Sequence, residues 1–150
     1  MKNKRDKAVE IFAKKMHCSQ AVLAAFSEEC GISEAQAFRL GSCFGSGMRK
    51  GEVCGACTGA LMVLGLLYGQ EHIGNLEERE LSNRINDMFM NRFKEVNGSY
   101  ICNDLLGHDV STPEGVQKAR AEGLFTEFCP KMVASAVDIL EEIIEKIDVK

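Results

Sequence analysis

The chain has 150 residues, 45% of them apolar and 27% charged, with a formal net charge of −4. That is the length of one ordinary domain and enough to bury a core. The acidic balance, with no Lys/Arg cluster, argues against a nucleic-acid partner, and two prolines with no tryptophan suit helices better than a sandwich or barrel. The opening stretch, M-K-N-K-R-D-K-A-V-E, is charged and lacks the apolar core of a signal peptide. The expectation is therefore a cytoplasmic chain. In that reducing setting cysteines serve catalysis, redox sensing or metal binding more often than disulfide staples. There are seven of them, an odd number that cannot pair completely.

Residues 4–29 carry helical periodicity. Ala8, Ile11, Phe12 and Lys15 share a face, and a break is expected at Lys15-Met16-His17. Cys18, Ala21, Val22, Ala25 and Phe26 then recur at three- and four-residue spacing. Cys30-Gly31 ends the segment with a glycine just past the last turn. Ser33, with Gln36 three positions on, is a capping-box signature for a helix running to about Cys43.

Residues 41–69 organise the rest. Gly41, Gly45, Gly47 and Gly51 predict a loop whose turns a side chain would forbid. It follows a helix rather than a strand and matches neither the dinucleotide nor the P-loop fingerprint, so it reads as a tight inter-helix turn. An apolar run at 60–68 is well short of the roughly 20 residues that span a membrane and is read as part of a buried central helix of about residues 53–69. Gly55 and Gly59, four apart on it, read as a place of close helix–helix contact. At the join stand Cys54 and Cys57, spaced C-x-x-C. A helix starting near Glu52 or Val53 puts Cys54 in its first turn, where unpaired N–H groups and the macrodipole favour a thiolate.

A polar linker at 70–76 precedes a long helix at 77–96. Leu81, Ile85, Met88, Phe89, Phe93 and Val96 form one stripe on it, with charges on the other faces, and Asn97-Gly98 ends it. Ser99 is expected to cap a short helix at 99–106 that sets Cys102 beside Leu105 and Leu106. Thr112-Pro113 opens another helix, with proline at its first position, that ends near Glu122-Gly123. Cys129-Pro130 repeats the pattern and starts the last helix, striped by Met132, Val133, Ala136, Ile139, Leu140, Ile143 and Ile147. No segment reads as a strand or a repeat. The expected fold is all-α, a single domain over residues 1–150 with about six or seven helices bundled around the apolar central one.

Cys54 and Cys129 fall at predicted helix N-termini, and Cys18 and Cys102 on apolar helical faces. If those faces converge, the four thiols form a cluster in or beside the core. Cys30 and Cys43 read as small buried hydrophobes. Cys57 has two readings of equal weight, because C-x-x-C without a βαβ context is a common accident. The separations of the four match no zinc-finger or ferredoxin spacing. Distant ligands still meet in helical bundles, so zinc or an iron–sulfur cluster on Cys18, Cys54, Cys102 and Cys129 stays open. His17 and His108 are candidate bases or nitrogen ligands, though lone turn histidines are more often solvated. Arg49 and Glu52 flank Cys54.

The segment G-M-R-K-G-E-V-C-G-A-C-T-G-A-L-M-V-L-G, residues 47–65, resembles the core of the C-GCAxxG-C-C family of redox-active proteins, small bacterial and archaeal chains. Its signature would be Cys54-Gly55-Ala56-Cys57-Thr58-Gly59. The earlier family cysteine corresponds to Cys18 in H-C-S-Q-A-V. The later two correspond to Cys102 in Y-I-C-N-D-L-L-G and Cys129 in F-C-P-K-M-V. The resemblance implies a redox role for these four, while Cys30, Cys43 and Cys57 lie outside the pattern. The leading expectation is a thiol redox protein in which Cys54 attacks or is oxidised. One of Cys18, Cys57, Cys102 or Cys129 resolves it, and the partner is a redox protein or a small molecule. The alternatives are a metal or iron–sulfur site on the four, and a structural module with buried thiols. A chain of short apolar helices also leaves a homodimer open.

Overall fold

The computed structural model describes residues 3–148. Along them run α1 (Lys4–Ala13), α2 (Cys18–Ala25), α3 (Glu34–Gly41), α4 (Gly55–Tyr68) and α5 (Leu76–Asn97). There follow α6 (Cys102–Leu106), α7 (Pro113–Ala121), α8 (Leu124–Glu127) and α9 (Cys129–Asp148). The fold is all-α, with no strand among the described residues. One isolated antiparallel bridge joins Val53 to Ile101. No helix among them is long and apolar enough to cross a membrane.

Several helix boundaries follow the local chemistry of the sequence. Ser33 Oγ accepts from the Gln36 N–H at 3.0 Å, and Gln36 Oε1 accepts from the Ser33 N–H at 2.9 Å, closing the capping box of α3. Thr112 Oγ1 accepts from the Gly115 N–H at 3.0 Å, with Pro113 opening α7. Gly98, at φ +90°, ends α5 in the left-handed region, and its N–H reaches the Lys94 carbonyl at 2.7 Å.

Elsewhere the structure departs from expectation. The 4–29 segment is two helices, divided at the expected break, where Lys15 adopts φ +67°. Its second helix stops at Ala25, and turns carry the chain to Gly31. Ser99 does not cap α6: its hydroxyl accepts from the Ile101 N–H and donates to Asp104, and the helix starts at Cys102. Helix α4 begins at Gly55, which makes Cys54 its N-cap rather than a first-turn residue. Cys129 is the first residue of α9, not its cap. The four-residue helix α8 carries no cap or periodicity by which to predict it. The glycine loop contains the largest surprise. Ser46, Gly47, Met48 and Arg49 are consecutive residues at positive φ, a turn of left-handed backbone. Each non-glycine residue there costs about 1–2 kcal/mol.

Helix α2 is buried along its whole length after Cys18 and packs on α1, α3, α4 and α9. Helix α4 lies against α2, α5 and α9. Its apolar run is buried at Ala60, Val63 and Leu64, while Leu66 is 46% exposed. Phe89 and Phe93 of α5 stack with ring centroids 6.0 Å apart and share the core with Val133, Val137 and Leu140 of α9. Two polar side chains are buried in α2, and both are satisfied. Ser19 Oγ donates to the Gly41 carbonyl at 2.7 Å. Gln20 Nε2 donates to the Phe38 carbonyl at 2.9 Å, and its Oε1 accepts from the His17 N–H at 2.8 Å.

Candidate functional site

Four helices aim their N-terminal ends at one cleft, and each brings a cysteine. Cys18 is the first residue of α2, Cys54 the N-cap of α4, Cys102 the first residue of α6 and Cys129 the first of α9. All four line a cleft of about 540 Å³. Backbone contacts fix the ends relative to one another. Through the Val53–Ile101 bridge, the Cys54 N–H donates to the Tyr100 carbonyl at 2.8 Å and the Cys102 N–H to the Glu52 carbonyl at 2.6 Å. The glycines of α4 bring α2 close. A Cβ on Gly55 would stand 3.2 Å from the Cβ of Cys18, and one on Gly59 would stand 2.7 Å from the Ser19 carbonyl oxygen. The close contact expected of these glycines is therefore present, and it sets Cys18 beside Cys54.

Cys57 lies outside the cleft lining, fully buried one turn behind Cys54. The Cys54 carbonyl accepts from the N–H groups of Cys57 at 2.9 Å and Thr58 at 3.1 Å, which fixes this first turn. The Cys57 thiol beside it holds Cys54 below the ordinary thiol range, helped by the Ala56 and Cys57 N–H groups and opposed by burial. None of these donors makes a cap hydrogen bond of ordinary geometry to the sulfur. Burial, and then the Cys54 sulfur beside it, push Cys57 well above that range.

Cys18 and Cys102, also in the cleft, resist ionisation. Cys18 is raised first by the thiol of Cys129 beside it, then by burial and the charges of the other thiols. Cys102 is pushed up to about 12 by burial and by the proximity of Cys54 and Cys129. Like charges crowded together cannot all form, and of Cys18, Cys54 and Cys102 it is Cys54 that is favoured as thiolate. Among the described residues, no group of three or more His, Cys, Asp or Glu side chains is arranged to hold a metal ion.

The other sequence candidates divide. His17 lines the cleft. His108 does not, and its Nε2 pairs with Glu122 at 2.6 Å. Arg49 and Glu52 lie outside the lining, although the Glu52 carbonyl anchors Cys102. Cys30 is half-buried with its Sγ 3.9 Å from the Val63 carbonyl, and burial raises it to about 11. Cys43 is exposed, so the buried reading of that residue is corrected: it follows the end of α3 and faces solvent. Sequence reasoning did not assign Arg120, Phe125 or Phe128 to the site and read Phe12 and Lys15 only as one face of a helix, yet all five line the cleft. The signal within reach was the break at Lys15-Met16-His17, all three of which line the cleft.

Residues 16–143 match the family described as "Putative redox-active protein (C_GCAxxG_C_C)". The chain belongs to this family. No curated protein and no solved structure gives a match. The structure supplies a physical reading of the C_GCAxxG_C_C pattern. Its cysteines are helix-terminal residues around one cleft, and its glycines, Gly55 and Gly59, are where α4 meets the backbone of α2.

Proposed function

We propose that the chain is a thiol–disulfide redox protein in which Cys54 attacks and Cys57 resolves. The observation that carries this reading is the placement of the pair. Cys54 faces the cleft from the end of α4, and Cys57 stands behind it one helical turn away, sealed from solvent. Cys54 is only 6% exposed, at the cleft, and a thiolate at a helix N-terminus with a second thiol three residues on has the neighbour that disulfide exchange needs. Cys54 thiolate attacks one sulfur of a disulfide and displaces the other half as a thiolate. Cys57 then gives up its proton to that thiolate, attacks the Cys54 sulfur and displaces the second half. Two electrons pass to the substrate, and a dithiol reductant returns the pair to its starting state. Cys18 and Cys129, side by side in the same cleft, make a second dithiol.

Timed alkylation with iodoacetamide at neutral pH, read by peptide mass spectrometry, tests the first half, with exposed Cys43 as internal reference. Cys54 should be modified ahead of Cys43, and equimolar oxidant should yield a Cys54–Cys57 disulfide that Cys54→Ser abolishes. Labelling of Cys54 no faster than Cys43, with Cys57 still reduced after oxidation, would remove the reading.

A further inference from the structure

The cleft around Cys54 is lined by two cations and no acid. Lys15 and Arg120 border it, and no Asp or Glu contributes to its lining. This contrasts with a chain of 22 acidic and 18 basic residues. Both cations are exposed. Among the described residues, neither Lys15 nor Arg120 forms an ion pair; the nearest acid along the chain from Arg120, Glu122, is engaged by His108. The Arg120 guanidinium stands 5.9 Å from the centroid of Phe125, which keeps it against the wall of the cleft. Apart from the thiols, much of the lining is apolar: Phe12, Leu105, Val116, Phe125, Phe128 and Met132. An apolar wall with unpaired cations at its edge suits a ligand that is apolar at one end and anionic at the other.

We infer that the substrate is a small organic disulfide with an aromatic or similarly apolar body bearing a carboxylate or other anion. The body packs on Phe12, Phe125 and Phe128, the anion meets Arg120 and Lys15, and the sulfur–sulfur bond lies at Cys54. The inference rests on the Cys54–Cys57 exchange proposed above and adds the class of molecule it acts on. One disulfide and the protein thiolate–thiol pair give the protein disulfide, one substrate thiolate and one substrate thiol. The proton of the latter comes from Cys57.

Two chromogenic probes test it: dithiobis(nitrobenzoate), with a carboxylate on each ring, and dipyridyl disulfide, which is neutral. The Cys54-dependent rate for each is the observed rate less that of Cys54→Ser. The informative quantity is the ratio of the two rates, because any change in Cys54 ionisation cancels in it. In the Lys15→Gln/Arg120→Gln protein the ratio should fall by about fivefold at low ionic strength, the upper range for exposed ion pairs. Added salt should narrow the difference between the two proteins. An unchanged ratio, with both probes still reacting at Cys54, would overturn the anionic substrate and leave the exchange chemistry standing. If neither probe reacts faster than with Cys54→Ser, the exchange reading falls and this inference with it.

Discussion

The backbone of Ser19 in α2 lies against Gly59 in α4, so close that a methyl group on Gly59 would stand 2.7 Å from the Ser19 carbonyl oxygen and 3.0 Å from its Cα. Neither atom is the end of a flexible side chain, so the helices themselves would have to separate. Gly59→Ala gains about 1 kcal/mol of helix propensity but should lose about 1–3 kcal/mol to overpacking, for a net destabilisation. Gly65, in the same helix, has nothing within 4 Å of an added Cβ. Gly65→Ala should therefore stabilise by up to about 1 kcal/mol. Denaturant midpoints of the two variants moving in opposite directions would support the contact; movement in the same direction would contradict it.

Removing the Cys57 thiol should change Cys54. That thiol is the largest influence holding Cys54 below the ordinary thiol range, and a methyl group supplies no donor. In Cys57→Ala the pH midpoint for alkylation of Cys54 should move upward. Cys57→Ser, which keeps a hydroxyl donor, should move it less. Alkylation rate against pH for the three proteins gives the order, and a midpoint unmoved in Cys57→Ala would show the Cys57 thiol to be a bystander.

Alkali should loosen the fold through its raised thiols. Cys102 titrates near 12 in the folded protein against an ordinary value of 9.0. Below the lower value both states hold the proton and the contribution to stability is complete. Between the two the unfolded chain releases it first, so stability falls as pH rises, with a slope of about 1.4 kcal/mol per pH unit for each such thiol. Cys18 and Cys57, also raised, act in the same direction. Denaturation followed from pH 9 upward should show this decline, and Cys102→Ala should make it shallower. An identical slope in Cys102→Ala would mean that this thiol titrates alike in both states.

Much of this arrangement is legible in the sequence where local chemistry decides it. The Ser33–Gln36 box, the Thr112-Pro113 start and Gly98 need only near neighbours along the chain, and the structure has all three. The order of the four cysteines places them in the family, and Gly55 and Gly59 announce a close contact without naming its partner. What the sequence hides depends on distant residues. Nothing near Cys18 or Cys102 indicates that both open helices facing the same cleft, because their meeting depends on the Val53–Ile101 bridge and on Ser19 against Gly59. The burial of α2 is concealed too, since its Ser19 and Gln20 look like surface residues until their long-range hydrogen bonds are seen. The left-handed turn through Met48 and Arg49 contradicts local preference, which is why glycine spacing predicts a loop there but not its form.

Gln20 should prove to be a positioning residue for the cleft. Its Oε1 holds the N–H of His17, the residue before Cys18, and its Nε2 donates to the Phe38 carbonyl and to Ser42 Oγ. The Phe38 carbonyl has a second donor in the Ser42 hydroxyl at 2.7 Å, so it stays paired when Gln20 is truncated. The His17 N–H has no such substitute in the observed bonds. Gln20→Ala should cost about 1–3 kcal/mol, the usual penalty for stranding a partly buried donor. It should also free the start of α2, so that Cys18, half-buried in the intact protein, is alkylated faster relative to Cys43. A loss of stability with no change in that ratio would assign Gln20 to packing alone. A faster Cys18 would show that this one side chain, bonded to the residue that caps α2 and to α3 and its C-cap, holds the first thiol of the cleft in place.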